Sequence, residues 1–329
     1  MQNPECRTRR TAGPACPQIV CALRSALCVL AVVSVRVPAT IANWGPAFDA
    51  LGVAVTVYNT VQAQPSPSPS VYVGGYGVET LPADSTNLVY RAAAAVAQRT
   101  GQRANFSVRC HNTIPPGRGL GSSAAAIVGG AVAANEVLGR PLGRDDLLDL
   151  VWRLEGHPDN VAPALLGGAV LTVVTDGGLR WTRIVPSWDV ALVVAVPEFA
   201  VATERARAVL PTHVPFADAV ANVSRSAWLV AAMLTGRPEL LATAMEDRLH
   251  QPYRRSLVPG MQEAFIAAHR AGAYAAALCG SGPSVLAVTP AAKVDEVGHT
   301  MVDAFQTAGH QAAYLQVSVD ERGATVENQ

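Results

Sequence analysis

The densest chemistry in the sequence lies in one run: Pro115, Pro116, Gly117, Arg118, Gly119, Leu120, Gly121, Ser122, Ser123, Ala124 and Ala125. A glycine-rich loop that feeds a helix N-terminus turns several backbone N–H groups toward one point. The helix dipole stands behind them, and together they make an anion site. The hydroxyls of Ser122 and Ser123 can cap the helix, or reach a phosphate oxygen or Mg²⁺. A lone Gly-x-Gly-Ser would read as an ordinary capped helix start. Three glycines, two serines and an alanine-rich first turn suit the close approach of a bulky anion, and phosphate binding is the better reading.

A second cluster, Glu155-Gly156-His157-Pro158-Asp159-Asn160, packs two acids, an imidazole and an amide around a helix end, with Gly167 and Gly168 following. Glu155 offers the oxygen ligand that Mg²⁺ prefers. Alone, the cluster is equally a solvated capping turn. Beside a phosphate loop it suits metal–phosphate chemistry. Cys279-Gly280-Ser281-Gly282-Pro283-Ser284 reads from spacing alone as a tight turn between two strands. Pro38–Asp49 is a fourth loop, in which Asn43 and Asp49 have the ordinary reading of turn formers.

Composition excludes several alternatives. Lys plus Arg and Asp plus Glu both number 25 in 329 residues, so there is no basic excess of the kind a dedicated nucleic-acid binder carries. The only lysine is Lys293, and no glycine-rich loop ends in Lys-Ser or Lys-Thr, so a Walker-type nucleotide site is absent. The spacing Gly117-x-Gly119-x-Gly121 is not that of a dinucleotide fingerprint, and no acidic residue about 20 positions on stands in a βαβ context. Half of the residues are apolar, enough for a sizeable core. The six cysteines form no C-x-x-C pair, which argues against a zinc site or a disulfide framework and for a reduced, cytoplasmic setting.

The elements that must position these loops alternate along the chain. Strands are expected at Val29–Val37, Val53–Val61, Phe106–His111, Ala169–Val174, Ala191–Val196, Tyr274–Leu278, Ser284–Val288 and Ala312–Val319. Helices are expected at Asn87–Arg99, Ser123–Leu138, Leu142–Leu154, Thr203–Val209, Ala217–Leu234, Met261–Ala271 and Val294–Thr307. Gln64–Ser70 reads as an exposed Pro/Ser loop tip. Strands and helices without strict βαβ repetition point to α+β. Residues 1–28 hold arginines, four cysteines and an apolar stretch broken by Arg24, too short to span a membrane. They are expected to be a disordered leader or the product of a start codon placed too early, the alternative being an export or targeting signal. A chain starting near Val29 should then keep full activity and melting temperature, which truncation and thermal melting would check. Residues 29–186 and 187–329 are expected to form two domains.

Together, PATIANWGPAFDALG, PPGRGLGSSAAA and ALCGSGPSVLAV resemble, in order, the three motifs of the GHMP kinase superfamily, from about Val33 to the chain's end. The Asn-x-Gly-Pro-x-Phe-Asp form, Glu155-Gly-His-Pro-Asp-Asn-Val-Ala-Pro, Val196-Pro-Glu-Phe with Thr203 and Arg207, and Gln251-Pro-Tyr-Arg254 resemble its homoserine kinase branch. The resemblance implies a two-lobed α+β fold, with an N-terminal lobe like ribosomal protein S5 domain 2 and a ferredoxin-like C-terminal lobe. It implies ATP-dependent phosphorylation of L-homoserine on the route to threonine. Pro115–Ala125 would wrap the ATP phosphates, and Glu155 with Ser122 or Ser123 would hold Mg²⁺. Asn43, Asp49, His157, Asn160, Thr203, Arg207, Arg254 and Gly280 would hold the amino acid.

Nearest the chemistry stand Glu155, Asp159 and Asn160. Mevalonate-type relatives use an aspartate base at a position resembling Asp159, whereas homoserine kinases resemble enzymes that work by positioning and charge stabilisation, so no base is assigned. A homodimer is compatible with the resemblance, and no nucleic acid or membrane is implied. The alternatives are a mevalonate- or sugar-type kinase, or a catalytically silent small-molecule sensor on the same scaffold. This chain departs from the pattern at Trp44, where the family carries Leu, and at Ala47, where it carries Gly.

Overall fold

The structure is a computed structural model and describes residues 32–327; the expected leader at 1–28 lies outside the described residues. The first lobe is built on a seven-stranded sheet. β1 (Val33–Ala42) and β2 (Leu51–Ser66) pair antiparallel, with a bulge at Pro38/Ala39. β4 (Asn105–Asn112) pairs β2 on its other side, and β3 (Ser70–Gly75) lies parallel to β4. β5 (Ala169–Thr175) pairs the start of β2, and β6 (Gly178–Ile184) pairs β5.

Helices α1 (Leu88–Arg99), α2 (Ser122–Val137), α3 (Arg144–Glu155) and α4 (Pro158–Leu166) pack around this sheet. α2 lies at the centre, against β1, β2 and α1. Its run from Ala124 to Asn135 is buried at every residue except Ala126, so it shows no amphipathic stripe. Alanine and glycine are the residue types that let a helix approach its neighbours that closely. α1 starts at Asn87, whose side chain accepts from the Val89 N–H as an N-cap.

The second lobe begins at β7 (Ala191–Pro197) and continues through α5 (Thr203–Ala208), α6 (Phe216–Thr235), α7 (Leu241–Ala244), α8 (Gln251–Arg254) and α9 (Met261–Arg270). β8 (Ala275–Leu278), β9 (Val285–Thr289), α10 (Val294–Thr307) and β10 (Ala312–Val317) follow. The four strands form an antiparallel sheet of order β10-β7-β9-β8, the ferredoxin-like arrangement. The expected division at residue 187 falls between the two sheets. After β10 the chain crosses back: Ser318 and Asp320 bond Thr56 and Ala54 beside the bulge, and β11 (Thr325–Glu327) pairs β1.

Several elements depart from the sequence expectation, β2, β3, β6 and α4 among them. β2 runs through Gln64–Ser66 to Phe106 and Asn105 on β4, so the Pro/Ser stretch is loop only at residues 67–69. Pro65 lies beyond Ala63, the last β2 position paired with β1 among the described residues, near a strand end where a missing N–H is best tolerated. The unexpected strands β3 and β6 are glycine-containing or polar, and unexpected α4 contains Pro163. Pro163 cannot donate to the Asp159 carbonyl four residues back, yet the short helix persists because all but Asn160 of its residues are buried.

Candidate active site

Between the two lobes lies a cleft lined by all four loops, including Asn43, Asp49, Gly117–Ser123, Glu155, His157, Asp159, Asn160, Thr203, Arg207, Arg254 and Gly280. Pro115, Ala124 and Ala125 do not line it, and Pro116 lines only a neighbouring pocket. Ala124 and Ala125 are fully buried beneath the loop and serve α2's packing, not a ligand.

α2 starts at Gly121, which adopts the left-handed conformation (φ 68°), and no side chain caps this terminus. A serine cap, the ordinary alternative for such a loop, is not made. The hydroxyl of Ser123 donates instead to Glu155 Oε2 at 2.8 Å. The first-turn N–H groups therefore keep no side-chain partner, the condition for anion binding. A Cβ at Gly121 would stand 1.9 Å from Thr40 Oγ1, and one at Gly119 would stand 2.1 Å from the Cys279 carbonyl. The loop is thus pressed between the first and third motifs. Gly121→Ala should combine this clash with a left-handed strain of about 1–3 kcal/mol, lowering the melting temperature by several degrees and raising KM for nucleotide. Thermal melting and ATP titration would check it.

The first motif is held in the left-handed region at Asn43 (φ 75°), Trp44 (47°) and Asp49 (55°). Such angles cost energy in non-glycine residues and persist only when neighbours impose them. Asn43 shows how: its Oδ1 accepts from the Asp49 N–H and its Nδ2 donates to the Gly280 carbonyl. Trp44 turns away from the cleft, donates to the Ile41 carbonyl and stacks on Trp188 at 6.4 Å. Ala47 has no positive φ and is buried, so neither departure from the family pattern narrows the cleft.

Across from this loop, Arg207 forms a two-pronged pair with Asp49, at 3.0 Å (Nη1–Oδ2) and 2.7 Å (Nη2–Oδ1). That hydrogen bond holds the Arg207 proton above the usual arginine range. Arg254 is 2% exposed. Its Nε donates to the Ala206 carbonyl, and Nη1 meets the Gly280 carbonyl (2.9 Å) and His250 Nδ1 (3.2 Å). Nη2 makes no protein hydrogen bond among the described residues and is left for the cleft it lines. Burial, and then the Arg207 charge, lower Arg254 to about 10, which leaves it cationic at neutral pH.

The acidic cluster stands at the end of α3 and the start of α4. Gly156 ends α3 in the left-handed region, and His157 enters α4 with Pro158 in its first turn. Burial pushes the Glu155 carboxyl above the usual carboxylate range, partly offset by the Ser123 hydroxyl and by His157. For His157 burial opposes protonation, but the Asp159 hydrogen bond (3.0 Å) and the charges of Asp159 and Glu155 outweigh it, and the imidazole is raised. Asn160 Oδ1 accepts from Thr40 Oγ1 at 2.7 Å, so its NH₂ group remains as a donor.

Residues the sequence reading did not single out also shape the site. Phe48 and Ser281 line the cleft. A mainly apolar pocket of about 250 Å³, lined by Leu81, Asn87, Leu88, Val89 and Cys110, shares Gly117, Ser122 and Ser123 with it. Phe48 lies inside the first motif, but an aromatic between Ala47 and Asp49 carries no local mark of function. The pocket is assembled by the segment leading into α1, the start of α1, β4 and the start of α2, which no single local motif joins. Cys110 and Cys279 are both free and buried, and burial pushes the Cys110 thiol up to about 12.

Comparison with known proteins agrees with this architecture. The GHMP kinases N terminal domain matches residues 87–168, and the GHMP kinases C terminal domain matches 229–306. A homoserine kinase of Carboxydothermus hydrogenoformans is 45% identical over 295 residues, covering 89% of this chain and 96% of its own. One of Desulfitobacterium hafniense is 44% identical, covering 90% and 100%. The crystal structure of homoserine kinase from Cytophaga hutchinsonii superposes with a TM-score of 0.83 at 30% identity, covering 90% of this chain and 97% of that one. Streptococcus pneumoniae phosphomevalonate kinase, at 14% identity and a TM-score of 0.67, shares the fold. With the motif loops on one cleft and relatives matched along nearly their whole length, the chain belongs to the homoserine kinases of the GHMP kinase family.

Proposed function

We propose that this protein transfers the γ-phosphoryl group of ATP to the side-chain hydroxyl of L-homoserine, giving O-phospho-L-homoserine on the route to threonine. The observation that carries the substrate is the Asp49–Arg207 pair beside the open Nη2 of Arg254. A carboxylate and two guanidiniums side by side complement the ammonium and carboxylate of an amino-acid zwitterion. The uncapped start of α2 receives the phosphates, and the apolar pocket beside it suits the adenine ring.

The residues present fit Mg²⁺. Glu155 is a carboxylate whose burial calls for a positive partner, and Ser123 is within hydrogen-bond reach of it. No cluster of three or more His, Cys, Asp or Glu suited to a metal is found among the described residues, so the ion would take its remaining ligands from phosphate and water, as Mg²⁺ commonly does. When bound, it supplies positive charge against the charge that develops on the transferring group. The protein's own part is positioning. Asn160 lines the cleft with its oxygen taken by Thr40, so its NH₂ group would be the donor offered to the acceptor hydroxyl, and Asp159 is committed to His157. No residue needs to be assigned as general base, because in-line placement and electrostatic stabilisation supply most of the catalysis.

No described helix is long and apolar enough to cross a membrane. A cytoplasmic setting suits two unpaired cysteine thiols. The test is ADP release with homoserine, mevalonate, shikimate and galactose in turn. Turnover with homoserine alone is expected. Preferential turnover of mevalonate or a sugar would reassign the substrate, and no turnover with any of the four would favour a sensor.

A further inference from the structure

Two guanidiniums that face the same small cleft repel one another, and the Arg207 charge is a cause of the lowered Arg254 value. Asp49 pins Arg207, and the Ala206 and Gly280 carbonyls pin Arg254, but one group touches both guanidiniums. The ring of Phe48 lies beneath both, with its centroid 5.5 Å from Arg207 Cζ and 5.3 Å from Arg254 Cζ. These distances are within the range at which an aromatic face attracts a cation, and more strongly where water is excluded. The same ring rests at 5.2 Å on the imidazole of His250, which is fully buried.

The hydrogen bonds of His250 leave it one arrangement. Nε2 lies 2.7 Å from the Gly45 carbonyl, which can only accept, so Nε2 carries the proton. Nδ1 then presents a lone pair to Arg254 Nη1 at 3.2 Å. The ring therefore links the strained first-motif loop on one side to Arg254 on the other. Nothing in the proposed chemistry touches it.

We propose that Phe48 and His250 are positioning residues, a brace that fixes the Arg207 and Arg254 guanidiniums in the geometry that receives the substrate carboxylate. The brace rests on the homoserine reading above. Its signature is selective: disturbing it weakens the amino-acid site while the nucleotide site, built on α2, is unaffected.

The test compares Phe48→Leu, Phe48→Tyr, His250→Phe and His250→Asn. Leucine fills space without a π face, and tyrosine restores it. Phenylalanine keeps a ring against Phe48 without an acceptor, and asparagine returns an acceptor oxygen near the Nδ1 position. Phe48→Leu and His250→Phe should raise KM for homoserine about tenfold and leave KM for ATP within about twofold. Phe48→Tyr and His250→Asn should recover most of that loss. Homoserine and ATP KM values that rise together, no change in either, or failure of both conservative variants to rescue would overturn the brace. Histidine NMR of the ligand-free wild type separates this from the substrate reading. With the buried Asp247 carboxylate also 3.5 Å from Nε2, the Nε2–H tautomer is expected at neutral pH, and an Nδ1–H tautomer would overturn the brace whatever the substrate. A wild type showing Nε2–H but inert toward homoserine would overturn the substrate reading and leave the brace standing.

Discussion

Glu155→Gln is expected to lower kcat by about two decades or more at saturating ATP, with little change in melting temperature. The amide keeps the carboxylate's shape and can still accept from Ser123, so the turn between α3 and α4 should hold. What is lost is negative charge at the place proposed for Mg²⁺. Nucleotide binding through the start of α2 should persist, since those N–H groups do not depend on Glu155. The wild-type pH profile offers a second check. Burial raises the Glu155 carboxyl, and the ionised form is the one that holds a cation, so activity should fall as pH drops through that raised value. The fall should come at higher pH than for an exposed glutamate, and the glutamine variant should lack this limb. Near-normal turnover of the variant at ordinary Mg²⁺ would reduce Glu155 to a partner of the helix turn.

Arg254→Lys is expected to lower kcat/KM for homoserine by about one to two decades, mostly through KM, if the lost charge-assisted bond is worth roughly 1.5–3 kcal/mol. A lysine keeps the charge and loses the fork. The structure adds a cost: Arg254 also serves the Ala206 and Gly280 carbonyls and His250, so the melting temperature should fall as well. The carboxylate role is isolated with an amidated homoserine analogue, which has no carboxylate to lose. The lysine variant should handle that analogue about as well as wild type does. A matching drop with the analogue, or equal losses for ATP and homoserine, would assign Arg254 to the fold or to the phosphates.

Much of the site was legible in local sequence because its loops are local objects. Gly119 and Gly121 mark backbone that neighbours press upon, and Glu155, His157, Asp159 and Asn160 share one turn between two helices. The excess lay in reading the loop as uniform. Ala124 and Ala125 already obey the packing of α2, and periodicity within so uniformly apolar a helix does not mark where ligand contact stops. Arg254 was visible as a charge, but not the three contacts that bury it. Phe48 and His250 were missed because their meaning lies in what surrounds them. In the fold, the long apolar strands and alanine-rich helices were evident, whereas β3, β6 and α4 exist by pairing or burial against distant partners, which overrides weak or contrary local preference.

The return of β11 to β1 has a consequence for how the protein is made. Ser34 pairs Glu327, and Asp320 accepts from the N–H groups of Arg322 and Gly323 and from the Tyr58 hydroxyl while its own N–H bonds Ala54. Closing a loop of that length carries an entropic cost that grows only as the logarithm of its length, but the loop cannot close before residues 325–327 exist. On the ribosome, the first lobe can gather its core while β1 still has an open edge. The pairing of β1 with β11 waits on synthesis of the whole second lobe, until residues 325–327 emerge from the exit tunnel. Such a chain is most exposed to strand-mediated association in the interval between synthesis of the first lobe and of β11, and a deletion that removes everything from Asp320 onward would make that transient state permanent.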